Sequence, residues 1–330
     1  MVFWRQRHFL FYYATFTVTA KKKGKANVTV KADRTGAVTW QVKVMPTLKD
    51  QSKPGMVGFI DWMLRKDDLS DLQKEDLTMA KRMLELAQAE KISDWLPDLK
   101  DYYGAKVENG VTMNLSDPDD PTSVANLHAN YEGYRELVRQ QMKDPYRNII
   151  LKNKFGTVDL PNGTRPYTNF KTVAGSAIDL DRFKYYHMHN PSWGTIKKGD
   201  ESYSFAGSEV WASRSDAASG VSLLYGERTY LDTAIKKLGY SKKSLTYTQL
   251  EEAYSNAGKY GEIGHYIFLN EANPESIVGF AAGSGGSLGH ESWDQTFVTR
   301  PDTAKQAYFY TFEEYDTLVS QYLKEIGFVE

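Results

Sequence analysis

Three histidines and two glutamates stand beside glycine-marked loops in the C-terminal two thirds of the chain. His187 and His189 fall in Tyr186-His-Met-His-Asn-Pro-Ser-Trp-Gly194, and His265 falls in Gly261-Glu-Ile-Gly-His-Tyr266. Between them in sequence come Glu209, in Phe205-Ala-Gly-Ser-Glu-Val-Trp211, and Glu227, in Leu224-Tyr-Gly-Glu-Arg-Thr-Tyr230. Imidazoles backed by carboxylates are the donor set of a divalent transition-metal pocket: neutral imidazole ligates zinc, and a carboxylate behind it fixes the tautomer and orientation of the ring. Scattered over loops, the same residues are also ordinary solvated groups, and spacing alone does not bring them together.

Other chemistries are weaker on inspection. Gly285-Gly-Ser-Leu-Gly289 fits G-x-S-x-G with His290 adjacent, yet a nucleophile elbow needs a helix directly after the serine, and Glu291 to Phe297 does not read as one. Gly283-Ser-Gly-Gly-Ser-Leu-Gly289 has Leu288 at the third glycine position of a dinucleotide loop and lacks the Lys-Ser/Thr of a P-loop. Asp117, Asp119 and Asp120 sit among prolines without the central Gly and terminal Glu of a twelve-residue calcium loop, so turns and a helix cap are the better reading. The absence of cysteine excludes a disulfide framework, a Cys-ligated metal site and a thiol nucleophile.

Residues 14–20, 26–32 and 37–44 alternate β-branched or aromatic residues with polar ones, which predicts a small antiparallel β unit with Lys21–Lys25 at a hairpin tip. A linker is expected over 45–56. Ser70 then caps a helix to about residue 92, and a second helix is expected over 123–142, with Leu127, Tyr134, Leu137 and Met142 on its apolar side. Beyond 151 the pattern predicts helices over 178–188, 222–238, 248–257 and 312–326, with extended segments at 265–269, 276–282 and 308–310. Helices mixed with strands make the fold class α/β or α+β, with a β-plus-helix module over 1–94 and a layered domain over 95–330.

Length and composition agree with a folded chain: 330 residues, 41% hydrophobic and 25% charged, with 41 Lys or Arg against 42 Asp or Glu. The balance hides a local asymmetry. Residues 1–60 carry eleven Lys or Arg and two Asp or Glu, whereas 61–122 carry eight and fifteen. Lys21, Lys22, Lys23 and Lys25 suit an anionic surface, nucleic acid being the less favoured partner, but lysines at a turn also protect strand edges from association. No apolar run approaches a membrane span, and Met1 to Phe16 lacks a small-residue cleavage site, so it reads as a mature N-terminus.

Four segments carry a resemblance. Gly264-His-Tyr-Ile-Phe-Leu-Asn270 followed by Val278-Gly-Phe-Ala281 resembles the GHY…VGxA strand pair of the CAP superfamily, the cysteine-rich secretory, antigen 5 and pathogenesis-related proteins. Tyr203 to Glu209 stands where that family writes Y-x-x-G-E-N, and Leu224 to Asp232 looks like its W-Y-x-E-x-x-x-Y-D helix. Met113 to Leu127 is similar to the N-P-N-D-L-T-S-L-A-N-L stretch of the surface-exclusion-type CAP domains of Gram-positive bacteria.

The resemblance spans about 95–330 and implies a three-layer α–β–α sandwich with a cleft lined by two histidines and two acidic residues. By motif, His265 and Glu227 are the firm matches, and Tyr266 follows in the same cleft motif. His189 is preferred to His187 because Asn190-Pro-Ser-Trp-Gly194 follows it directly, and Ser208-Glu209 alters the G-E-N motif. The implied function is binding, adhesion or surface exclusion by a secreted or wall-associated protein. Its partner would be a surface protein, a glycan or a small apolar ligand. Two alternatives stand beside it: a hydrolase with Zn²⁺ or another divalent cation on His189 and His265 and Glu227 as general base, and a scaffold in which His265 and Glu227 only hold helix to sheet.

Overall fold

The computed structural model describes residues 24–32, 35–44, 55–89, 124–156, 167–186, 194–213, 216–271, 277–284, 292–298 and 308–326. The chain divides into two compact units, Met1–Gln51 and Ser52–Glu330. In the first, β1 (Gly24–Ala32) pairs antiparallel with β2 (Thr35–Val44), with Val28 opposite Trp40 and Lys25 opposite Lys43. Lys25 therefore lies within a strand rather than at the expected tip; the strand expected at 14–20 and Lys21–Lys23 are outside the described residues.

The division falls at 51/52, whereas the sequence suggested 94/95. The reason is α2 (Asp71–Ala89), whose Asp76 reaches across to the first turn of α5 (Phe170–Tyr186) and ties residues 71–89 into the second unit. Its entry is the expected cap at Ser70: the Gln73 N–H donates to Ser70 Oγ at 3.3 Å, and the Ser70 N–H donates to Gln73 Oε1 at 2.9 Å. Before it, in part of the expected linker, comes α1 (Gly55–Met63), eight of whose nine residues are buried. A helix buried almost all round has no amphipathic period, so its apolar run does not announce itself.

A three-stranded antiparallel sheet organises the rest, in the order β5 (Ser208–Ser213), β7 (Ser292–Val298), β6 (Ile277–Gly283). Alternation along β7 gives it two faces. Thr296 meets α5, its Oγ1 2.6 Å from Ser176 Oγ, and Trp211 beside it stacks on Phe183 at 5.3 Å. The other face carries Trp293, stacked on Phe280 at 5.9 Å; a Cβ on Gly220 of α6 (Ala217–Gly226) would overlap the Trp293 indole, so that helix lies flat on the ring. Helices thus cover both faces of the sheet, with α3 (Val124–Lys143) beside α6 on the Trp293 side. This is the mixed helix-and-strand class that the sequence predicts.

The remaining elements are α4 (Arg147–Phe155), the hairpin β3 (Thr195–Lys198) with β4 (Glu201–Ser204), α7 (Arg228–Lys237), α8 (Tyr247–Ala257), α9 (Gly264–Glu271) and α10 (Phe312–Glu325). Among the described residues two large apolar cores result, beside a small cluster of Ala177, Leu180 and Ala281. One gathers Phe59, Trp62, Phe170, Tyr315 and Tyr322 from α1, α5 and α10, and the other joins α3, α6, α7, α8 and α9 to the Trp293 face.

Asp76 makes a pH prediction. Its carboxylate accepts the N–H groups of Phe170 at 2.8 Å and Lys171 at 3.0 Å, an N-terminal cap supplied by another helix. Burial nevertheless pushes it from 3.8 up to about 7, against the lowering effect of those donors. Because the folded pKa is the higher one, the folded state holds more protons between those values, and the free energy of unfolding falls as pH rises through that window. Urea denaturation should therefore find the protein more stable at about pH 5 than at about pH 8, with a smaller difference in Asp76→Asn, which keeps an acceptor oxygen but cannot titrate.

Candidate functional site

The two firm sequence matches meet. Glu227 sits in the turn between α6 and α7, where the N–H of Glu227 donates to Leu224 O at 3.2 Å and its C=O accepts the Tyr230 N–H at 2.9 Å. One helix was expected over 222–238; the break at Gly226-Glu227 turns the glutamate toward α9. His265 is the second residue of α9. The segment 265–269 was expected to be extended and is helical, so the GHY half of the expected strand pair is a helix, while the VGFA half is strand β6 as expected. The physical reason is the start of α9: its otherwise unpaired N–H groups find an acceptor in Glu227, and a carboxylate there also suits the helix dipole.

Both Glu227 oxygens are engaged. His265 Nδ1 lies 2.7 Å from Oε1, and the Tyr266 backbone N–H donates to Oε2 at 3.1 Å. The Glu227 side chain is 13% exposed and that of His265 is 37% exposed, so the carboxylate is the sheltered partner and the imidazole the open one. With Nδ1 turned to Glu227, Nε2 is the ring nitrogen left for a ligand or a partner. Glu262 Oε1, 3.9 Å from the same Nδ1, adds a second and solvated negative group.

Tyr266 is fully buried rather than lining an open cleft. Its hydroxyl donates to Asp144 Oδ2 at 2.7 Å and accepts from Asn270 Nδ2 at 3.1 Å, while burial and then the Asp144 charge push the phenol well above its ordinary range. Asp144 also accepts the N–H groups of Tyr146 at 2.8 Å and Arg147 at 3.1 Å, capping α4. The residue after the histidine therefore anchors α9 to α4. In the sequence Asp144 is marked by nothing more than an Asp-Pro pair, Asp144-Pro145, at a helix end, which is too common a turn signal to single it out.

Glu209 is placed differently. It lies on β5, its carboxylate beside Asp294 of β7 and near Asp179 of α5, on the sheet face that meets α5. Glu227 and His265 belong to α6–α7 and α9, which join the opposite core. The structure thus unites two of the predicted site residues and sets Glu209 in a separate carboxyl group. His187 and His189 fall outside the described residues, as do Asp117, Asp119, Asp120 and the Gly285–His290 loop.

A zinc ion takes three or four protein donors. Among the described residues no group of three His, Cys, Asp or Glu is arranged to hold a metal ion. His265 Nε2 is one donor, and the carboxylate behind it is spent on Nδ1 and the Tyr266 N–H. The described residues thus supply an oriented imidazole, one donor rather than a coordination set.

No family model matches the chain, and neither a curated protein nor a solved structure matches it significantly. Among the described residues, no helix is long and apolar enough to cross a membrane.

Proposed function

We propose that the chain is a cell-surface binding protein of a Gram-positive bacterium, built on a CAP-type α–β–α sandwich, in which His265 oriented by Glu227 meets the partner. The observation that carries this reading is the double engagement of Glu227, one oxygen on the His265 ring and the other on the N–H of Tyr266. A carboxylate so committed suits the task of holding a histidine better than that of taking a proton from water, which favours recognition over metal-dependent hydrolysis. The order of the four motif segments and the cover of helices on both faces of the sheet support the CAP type. Tyr260, exposed and five residues before His265, adds an aromatic side chain of the kind that contacts glycan or protein.

The test is co-sedimentation of the fluorescently labelled chain with intact Gram-positive and Gram-negative cells. Saturable association with the Gram-positive envelope is expected. Its absence across several Gram-positive species, with folded protein, contradicts the reading.

One observation favours a second reading, in which the pair is only a clamp: the Tyr266 N–H that Glu227 accepts is a backbone group that any α9 would need to satisfy. Under it, removal of His265 changes stability and leaves association with cells untouched.

A further inference from the structure

His265 stands in a stretch, 216–271, that is described without a break. Two tyrosines lie close to it in the fold. Tyr230, in the first turn of α7, has a half-buried ring on which the turn leading into α9 rests. A Cβ on Gly261 would stand 2.4 Å from the Tyr230 Cζ and 2.5 and 2.7 Å from its Cε atoms, so only glycine lets that turn lie on the ring. The turn starts at the end of α8, where the Tyr260 N–H donates to Ala257 O at 2.9 Å. It carries Tyr260, the one exposed large aromatic side chain among the described residues, and Glu262, which is 75% exposed with its Oε1 3.9 Å from His265 Nδ1. Tyr230 is in turn tied to Glu227, its N–H donating to the Glu227 C=O at 2.9 Å. One patch therefore joins Tyr230, Tyr260, Glu262 and His265, with Glu227 behind the imidazole.

What such a patch binds follows from which of its atoms give hydrogen bonds and which take them. A carboxylate only accepts, so the hydrogen of the 2.7 Å contact between His265 Nδ1 and Glu227 Oε1 sits on Nδ1. A neutral imidazole held in that tautomer presents a lone pair on Nε2, which makes it an acceptor toward a partner. Glu262 adds two more acceptor oxygens, and the tyrosine rings add apolar faces with a hydroxyl at one end. A fitting partner carries hydroxyl donors on its edge and C–H groups on its face, which is the make-up of a sugar. A phosphate polymer fits poorly, because its charged groups only accept and would meet Glu262 in the open and Glu227 behind the ring. The cations nearby are turned elsewhere: Lys259 Nζ donates to Asn256 Oδ1 at 2.6 Å, and Arg228 Nη1 faces Asp144 at 3.9 Å.

We propose that the His265 patch binds a neutral glycan of the cell envelope, with His265 Nε2 and the Glu262 carboxylate accepting from sugar hydroxyls and Tyr260 lying against a sugar face. The inference rests on the cell-surface reading and narrows its partner to one chemical class. Glu227 is a positioning residue in it: by keeping the hydrogen on Nδ1 it keeps Nε2 an acceptor. Gly261 positions the patch from the other side, since it sets the turn that carries Tyr260 and Glu262 against Tyr230.

Binding of the full chain to intact Gram-positive cells and to their protease-treated walls, which keep glycan and lose protein, tests it. The wild type is expected to bind both, and to be displaced by a panel of neutral oligosaccharides of glucose, galactose, rhamnose and N-acetylhexosamines but not by poly(glycerol phosphate) at the same concentration. Tyr260→Ala, and His265→Lys, which replaces an acceptor by donors, are each expected to weaken binding by about tenfold or more. Tyr260→Phe, which keeps the ring, is expected to retain most of the affinity. Nitrogen NMR of the labelled chain is expected to find the hydrogen of the neutral His265 ring on Nδ1. Binding that disappears on protease treatment, or that poly(glycerol phosphate) displaces and the neutral sugars do not, overturns the glycan while the cell-surface reading stands. So does a neutral His265 ring with its hydrogen on Nε2, or unchanged affinity in folded Tyr260→Ala and His265→Lys. Absence of association with intact cells overturns the cell-surface reading itself, and this inference with it.

Discussion

Gly279→Ala is expected to lower the free energy of unfolding by about 3 kcal/mol, the upper part of the range for overpacking a close-packed interior. Gly279 is the glycine of Val278-Gly-Phe-Ala281 in the centre of β6, and its Cα lies against the first turn of α5. A Cβ there would stand 2.3 Å from the Thr172 carbonyl oxygen and 2.6 Å from its carbon, with Ser176 Oγ also at 2.6 Å. Two of those three atoms are backbone, so no rotamer change relieves the overlap and the helix itself must move off the sheet. Moving it disturbs the Ser176–Thr296 hydrogen bond and the stacking of Phe183 on Trp211. Gly226→Ala is the control, because a Cβ at Gly226 meets nothing within 4 Å, and its effect should stay within about 0.5 kcal/mol. Urea denaturation of both variants measures the contrast. Similar stabilities for the two would mean that α5 is not seated on β6 as described.

The second large effect is expected from Glu227→Ala. Truncation removes the acceptor of the Tyr266 N–H and the partner of His265 Nδ1 in one step, and should lower stability by about 2 kcal/mol. It should also weaken association with Gram-positive cells by about tenfold or more, the equivalent of one strong polar contact, because His265 is no longer held in one orientation. Glu227→Gln should fall between the wild type and Glu227→Ala on both scales, since an amide oxygen accepts one of the two bonds but its NH₂ does not replace the other acceptor. Chemical denaturation and the cell-association assay, run on the same preparations, separate the two effects. A variant that loses stability but binds as the wild type does would reduce Glu227 to a clamp.

The sequence was informative where a pattern is local. Ser70 announced the start of α2, where Gln73 completes the cap, and 312–326 read as the last helix, α10, whose cap at Thr311 and Glu314 closes reciprocally. His265 and Glu227 could be paired because each lies in its own recognisable segment. What stayed hidden depends on contacts between distant residues. His-Tyr-Ile-Phe-Leu reads as extended by its aromatic and β-branched content, and its first turn is made helical by a carboxylate 39 residues away from Tyr266. Asp76 caps a helix 94 residues on, and the Asp179–Arg182 pair and Asp294 meet only after α5 has folded onto the sheet. A buried acid in a sequence looks like any surface acid. Glu209 shows the same limit from the other side: its segment suggested the cleft, and the alternation of β5 turned its side chain to the α5 face.

The most direct test of the central claim is the affinity of the labelled chain for intact Gram-positive cells, measured for the wild type and for His265→Gln at matched folding. Saturable wild-type binding is expected, with a loss of about tenfold or more in His265→Gln and stability changed by only about 1 kcal/mol, because the half-exposed ring offers its Nε2 to the partner rather than its bulk to the core. Equal binding by the two proteins would contradict it, and would leave the Glu227–His265 pair as a fastening between α9 and the turn before α7.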